Sequence, residues 1–239
     1  MKKKLAYLIL KLLLILIIAF PQSRLDFGLN VIPALSTINT EGHDIGFEFL
    51  KPINYGISVA YKKKKMLIST GILKITQGSK FQVEITTNEL PEGGIGTYDN
   101  FIRIKSLIIP LNISYVLTSK NTGFTGSIGI YSGYVYKQQL ENTSISKDNQ
   151  PPSNIIYLNG PPKRFNDIDM FEKLYFGANI GIGLQQFISK KMSYIIRPNF
   201  LFQLRKELPR EQYPWTYRLM SLSIDIGFYY SIGKETKKD

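Results

Sequence analysis

The sequence predicts an all-β fold: an eight-stranded antiparallel up-and-down transmembrane β-barrel behind an N-terminal signal peptide. Three observations carry this reading. Apolar residues recur at every second position over unusually long stretches, so each strand has one greasy face and one small or polar face. The connections between these stretches alternate long and short, as in membrane barrels with short turns at one end and long loops at the other. Beyond the leader, no apolar run approaches the roughly 20 residues of a membrane helix, so further membrane contact falls to strands, whose backbone groups only a closed barrel can pair throughout.

The chain opens with Met1-Lys2-Lys3-Lys4 and an apolar run from Leu5 to Phe20. A basic start followed by an apolar stretch is a secretory signal, expected to cover residues 1–23. Lys11 divides the run, leaving Leu12 to Phe20 too short to span a bilayer. The chain has no cysteine, which removes disulfides, thiolate chemistry and a lipid anchor on a mature N-terminal cysteine.

Leu25 to Leu35 alternates first, with Leu25, Phe27, Leu29, Val31, Pro33 and Leu35 on the apolar face, followed by a polar connection from Ser36 to His43. Asp44 to Tyr61 keeps one phase throughout and is expected to be one strand with a bulge at Pro52. Lys62 to Lys65 is a turn. Met66 to Ile85 is noisier. Its expected register sends Leu67, Leu73, Ile75, Phe81, Val83 and Ile85 outward, with a bulge near Gly78. A polar, Gly-rich connection from Thr86 to Asn100 leads to Phe101–Leu117, where Leu107, Ile109, Leu111, Ile113, Tyr115 and Leu117 oppose Ser106, Pro110, Asn112 and Ser114.

After a turn at Thr118 to Gly123, Phe124 to Gln138 sets Phe124, Ile128, Ile130, Tyr134 and Tyr136 against Thr125, Ser127, Gly129, Tyr131 and Gly133. Gln139 to Met170 is the longest connection. Phe171 to Phe187 alternates most cleanly, with Gly177, Gly181 and Gly183 opposite Phe176, Ala178, Ile180 and Ile182. The turn Ser189-Lys190-Lys191 joins it to Met192–Arg205, which carries Arg197, Asn199, Gln203 and Arg205 inward. A connection from Glu207 to Thr216 precedes the closing strand, Tyr217 to Ile232. The barrel is therefore expected to occupy residues 24–232, with 233–239 a periplasmic polar tail and both termini periplasmic. Pro33, Pro110 and Pro198 lie inside strands, where each removes a ladder donor and is expected at a bulge.

A soluble sandwich also alternates. Here, however, the apolar row faces away from Gly, Ser, Asn and Gln packed into a narrow interior, and Tyr and Phe gather near strand ends as interfacial girdles do. The run Leu107-Ile108-Ile109-Pro110-Leu111-Asn112-Ile113, the glycine-alternating Gly177 to Gly183, and Ile224-Asp225-Ile226-Gly227-Phe228-Tyr229-Tyr230 resemble the PorT-like outer-membrane β-barrel family of Bacteroidota. The resemblance implies an eight-stranded barrel in the outer membrane, with some members tied to protein secretion and gliding, and it supplies no catalytic residues.

Removing Lys2, Lys3, Lys4 and Lys11 lowers the formal charge from +12 to +8. An exported chain rarely meets nucleic acid, so no nucleic-acid partner is expected. Anionic lipid head groups or lipopolysaccharide suit a basic surface better. The barrel assembly machinery and a surface protein or glycan are the other expected partners.

His43 beside Asp44 and Glu41 imitates a rim dyad, but neighbours on a strand point to opposite faces. A single His without Cys makes a zinc site improbable. No cofactor is expected. Asn142-Thr143-Ser144 matches a glycosylation triplet by chance. Glu48, Arg197 and Asp225 fall on expected inward faces, with Arg205 and Arg103 nearer the loop end, and are expected to form a lumen charge network. An eight-stranded barrel is only wide enough for its own side chains. The expected role is therefore non-enzymatic: a structural, adhesion or secretion-accessory barrel acting through its loops and protruding strands. A narrow channel for solutes or lipids is the alternative, and a rim-located lipid-modifying enzyme the second.

Overall fold

In a computed structural model the fold is described for residues 24–41, 47–86, 95–119, 122–145, 164–166, 172–204 and 216–232. The expected signal peptide, His43, Arg205 and the tail at 233–239 lie outside the described residues.

Ten strands form one sheet: β1 (Arg24–Glu41), β2 (Phe47–Phe49), β3 (Ile53–Lys63), β4 (Met66–Thr86), β5 (Ile95–Ser119), β6 (Thr122–Ile145), β7 (Arg164–Asn166), β8 (Leu174–Phe187), β9 (Met192–Gln203) and β10 (Thr216–Ile232). Eight close a ring in the order β4-β3-β1-β10-β9-β8-β6-β5, with β5 pairing back onto β4. Each of these pairings is antiparallel, and β10 closes against β1 from Leu25↔Ile232 to Glu41↔Thr216. The fold is therefore a closed eight-stranded antiparallel barrel. β2 and β7 are short additions on β4 and β6.

Alternation decides the faces. On β5 and β8, Leu107 to Leu117 and Leu174 to Leu184 show their outward rows to the surroundings, while Asn112, Ser114, Tyr175, Asn179 and Gln185 are buried. Exposures such as 72% for Ile53 and 70% for Ile182 show that no other described part of the chain covers this row. The apolar stretches span about the 9–11 residues that a membrane strand requires.

Four expectations change. First, β4 has the opposite register: Leu67 and Ile75 are buried, while Met66, Ile68 and Ile72 are exposed. Both of its faces are apolar, so alternation alone does not choose between them, and a one-residue slip inverts every side chain. The two polar residues sent outward find partners. Thr70 Oγ1 donates to the Pro110 carbonyl at 2.8 Å, and Lys74 Nζ to Tyr55 Oη at 2.9 Å. Second, the prolines cause no bulges. Val31↔Ile226 and Ala34↔Ser223 keep one register across Pro33, as do Thr70↔Leu111 and Leu73↔Ile108 across Pro110, and Gly181↔Asn199 and Leu184↔Ile196 across Pro198. Each proline interrupts the ladder on one side while staying paired on the other.

Third, Asp44–Tyr61 is divided at Pro52 into β2 and β3. The path still keeps register with β1, through Pro33↔Ile53 and the bridge Ser36↔Leu50. Against β4 it gains a residue: six positions separate Tyr55 from Phe49, but five separate Lys74 from Ser79. The bulge expected at Pro52 is thus real on one side only. Fourth, Gly78 carries no register shift against β5. It has φ +152°, and a Cβ there would run into the Ile102 carbonyl oxygen, so β4 bends where glycine alone fits. The bulge on the neighbouring pair lies instead between Lys105 and Ser106, where β6 gains Tyr136.

The polar connection expected at Ser36 to His43 is strand as far as Glu41, and Ile38 is buried. The connections expected from Thr86 and from Gln139 are likewise shortened, because β4, β5 and β6 reach 21, 25 and 24 residues.

Candidate functional site

Two regions remain once the apolar belt is set aside: the lumen and the sheet that rises beyond it. The lumen is built in two layers. Towards the short turns it is polar. Arg197 on β9 and Asp225 on β10 are cross-strand partners, and Arg197 Nη2 lies 2.6 Å from Asp225 Oδ2 with both side chains buried. Asp225 Oδ1 accepts from Asn30 Nδ2 at 2.8 Å, and Ser58 Oγ donates to Asn30 Oδ1 at 2.7 Å. The chain Ser58–Asn30–Asp225–Arg197 thereby laces four adjacent strands, with Tyr229 Oη within 3.2 Å of Asn30. A buried ion pair survives only when its remaining valences are filled, and the amide and hydroxyls supply that. On the far side, Asn179 Nδ2 donates to Asn112 Oδ1 at 2.8 Å and Gln185 Nε2 to Ser193 Oγ at 3.1 Å.

Towards the long loops aliphatic and aromatic side chains predominate, with Ser36, Gln77, Ser106 and Gln203 buried among them. Ile38, Ile104, Ile108 and Leu219 are almost wholly buried, and Ile75, Ile102, Val135 and Leu201 pack with them around Tyr131 and Tyr175. The two tyrosine rings meet edge to face at 6.0 Å. Each lies across a glycine of the facing strand: Tyr131 over Gly177, Tyr175 over Gly133 and, lower down, Tyr229 over Gly28. A Cβ at any of these glycines would overlap the ring, so glycine makes the room that the narrow lumen lacks.

Between the layers lies a cavity of about 40 Å3, lined by Asn112, Tyr131, Asn179, Arg197, Asn199 and Asp225 among others. Five buried polar atoms of its lining, Gln77 Nε2, Tyr131 Oη, Asn179 Oδ1, Arg197 Nε and Asn199 Oδ1, have no hydrogen-bond partner in the structure. The volume and polarity suit about two or three water molecules.

The expected charge network is thus split. Arg197 and Asp225 come together. Glu48 does not join them: it stands on β2, beyond Pro52, more than half exposed, with its carboxylate 3.4 Å from Lys80 Nζ. The strand is interrupted at Pro52 and shifts by one residue against β4, while Leu50 stays paired with Ser36 of β1, so Glu48 lies past the break beside its β4 partner Lys80. Arg205 lies outside the described residues. Arg103 sits over the Phe101 ring at 5.5 Å, well above the ion pair along its strand. Sequence reasoning overlooked Asn30, Ser58 and Tyr229. Their signal was present in the inward phase and in Gly227 opposite Asn30, which leaves space for the amide.

The second region is the sheet beyond the belt. Above Ser106, β5 stays paired to β4 as far as Thr86↔Ile95 and to β6 as far as Thr97↔Ile145. β2 lies along the β4 side through Phe47↔Phe81, and β7 along the β6 side through Leu140↔Phe165. Past those short strands, β4 above Phe81 and β6 above Glu141 each pair only with β5 among the described residues.

No protein-family model and no curated protein matches the sequence. Among solved structures the chain is similar to the Neisserial surface protein A (8% identity, 85% of this chain and 95% of that one, TM-score 0.40). It is similar also to Ail, the attachment invasion locus protein of Yersinia pestis (8%, 87% and 99%, TM-score 0.40). A third is the outer membrane protease OmpT from Escherichia coli (7%, 88% and 96%, TM-score 0.46). At these identities nothing of their binding or activity carries over to this chain.

Proposed function

We propose that this chain is a non-conducting, non-enzymatic outer-membrane barrel that displays its protruding sheet and long connections to a partner outside the cell. The observation that carries this is the contrast between a filled lumen and a tall, open-edged sheet. The Ile38–Ile104–Ile108–Leu219 layer seals the interior against hydrated ions, while β4, β5 and β6 run on well beyond the belt. The belt itself supports membrane residence. Soluble monomers rarely expose contiguous apolar patches larger than a few hundred Å2, and here the outward row continues around the ring. With the short turns periplasmic, the edges of β4 and β6 that no described strand covers face outwards and offer backbone groups for strand addition. The narrower reading is a PorT-like barrel with a structural, adhesion or secretion-accessory role, supported by the motifs at 107–113, 177–183 and 224–230.

Two measurements test this. Shortening the 146–163 connection together with the upper hairpin of β4 and β5 is expected to leave barrel assembly intact and to abolish surface binding or the secretion phenotype. An unchanged phenotype in a correctly assembled variant rejects the display role. In planar bilayers the intact chain is expected to show no steps of conductance, and regular single-channel steps would favour the transport reading instead.

A further inference from the structure

The chain's positive charge is not spread over its surface. The short-turn end carries Arg24, Lys62 to Lys65, Lys190 and Lys191, and the sequence adds Lys120 between β5 and β6, against one acid, Asp26, which is buried and held by Arg24 at 2.7 Å. The barrel's other basic residues, apart from the luminal Arg197, number fourteen, and fourteen acids lie in the same sequence segments. The excess of the whole mature chain therefore sits at the turns and the tail.

The position of these residues says what they meet. Lys64 and Lys65 form the bend between β3 and β4, next to the exposed Met66. Lys190 and Lys191 stand between the exposed Ile188 and Met192. Arg24 and Lys62, cross-strand partners, both lie over the Phe187 ring, at 5.5 and 5.2 Å. At about 3.3 Å of rise per residue, these cations sit within a head group's depth of the apolar belt. Lys64 also occupies a left-handed backbone position, φ 55°, where Gly or Asn would fit more easily. A charged residue stands there nonetheless.

We propose that the short-turn end is a recognition surface for anionic phospholipid, its lysines engaging the phosphodiester groups of the leaflet that surrounds the turns. This rests on the membrane reading above. A soluble acidic partner would need a projecting surface, whereas tight turns present a thin ring at head-group level. Juxtamembrane lysines gain from an anionic leaflet and lose that gain under screening.

The test refolds the full mature chain into phosphatidylcholine vesicles and compares spin-labelled phosphatidylglycerol with spin-labelled phosphatidylcholine at the protein boundary. Insertion is first checked by the mobility shift between unheated and boiled samples. No shift refutes the membrane reading itself, separately from the lipid claim. For inserted protein, a preference of about fivefold for phosphatidylglycerol is expected near 0.01 M salt and should vanish at about 1 M, where screening shortens to roughly 3 Å. The variant Lys63→Gln, Lys64→Gln, Lys65→Gln, Lys190→Gln, Lys191→Gln should lose the preference, while Lys51→Gln with Lys173→Gln at the other end should keep it. Equal association of the two lipids, or a preference that survives removal of the turn lysines, overturns the proposal. So does binding of soluble peptidoglycan fragments without any lipid preference.

Discussion

The Arg197–Asp225 pair is a demanding contact, because both charges are buried and each depends on the other. Replacing Asp225 with Ala leaves a guanidinium in the lumen without its counter-charge, and about 3–5 kcal/mol should be lost in reversible urea unfolding from vesicles. Arg197→Met combined with Asp225→Leu should cost less than that single change, because no orphan charge remains. A fully additive double variant would show that the two residues act independently. The tyrosine–glycine pairs make a second, opposed prediction. Gly177→Ala pushes a methyl into the Tyr131 ring and should cost about 1–3 kcal/mol. Tyr131→Phe should be neutral or stabilising by about 1 kcal/mol, since the Tyr131 hydroxyl is buried and has no hydrogen-bond partner.

Among the elements, the long strands were legible where one face is mostly small or polar, as in β8 and β10 and in β5 beyond Ile109. β4 was not, since Leu67, Leu73 and Ile75 compete with Met66, Ile68 and Ile72 for the outward face. The winner was set by cross-strand partners, Tyr55 and Pro110, that no single-strand pattern contains. The same limit explains Glu48, which lies past the break and register shift at Pro52, beside its β4 partner Lys80. Asp225 and Arg197 could be paired from sequence because their strands are consecutive and joined at one end. The luminal isoleucines of β5, Ile102, Ile104 and Ile108, share the inward phase of Ser106 and Asn112, but alternation alone did not single them out as the residues that plug the interior. Gly78 is where β4 bends as it leaves the barrel, with Ser36 Oγ bonded to both its amide and its carbonyl. Gly78→Ala should cost about 1–3 kcal/mol. The effect should be local: hydrogen exchange should quicken in the β4–β5 hairpin above Gly78 and stay slow at residues 107–117. Uniform loss of protection along β5 would mean that the sheet and the barrel open as one unit.

For the whole molecule, three layers share one closed sheet: a basic ring at the turns, an apolar belt around a filled lumen, and an open sheet above. Each follows from the preceding one. Closure removes edges within the belt, the proposed function places that belt in lipid, and strands that outlast the belt recover edges. The central claim is that the outward row meets hydrocarbon while the inward row meets a sealed interior. Because the chain has no native cysteine, single cysteines can be placed from residue 107 to residue 117 on β5 and labelled with an environment-sensitive fluorophore after reconstitution. Lipid-attached quenchers should reach Leu107, Ile109, Leu111, Ile113, Tyr115 and Leu117 positions and spare Ile108, Asn112 and Ser114, giving a clean period of two. Quenching without alternation, or ready labelling of the outward positions by a water-soluble maleimide, would contradict the account.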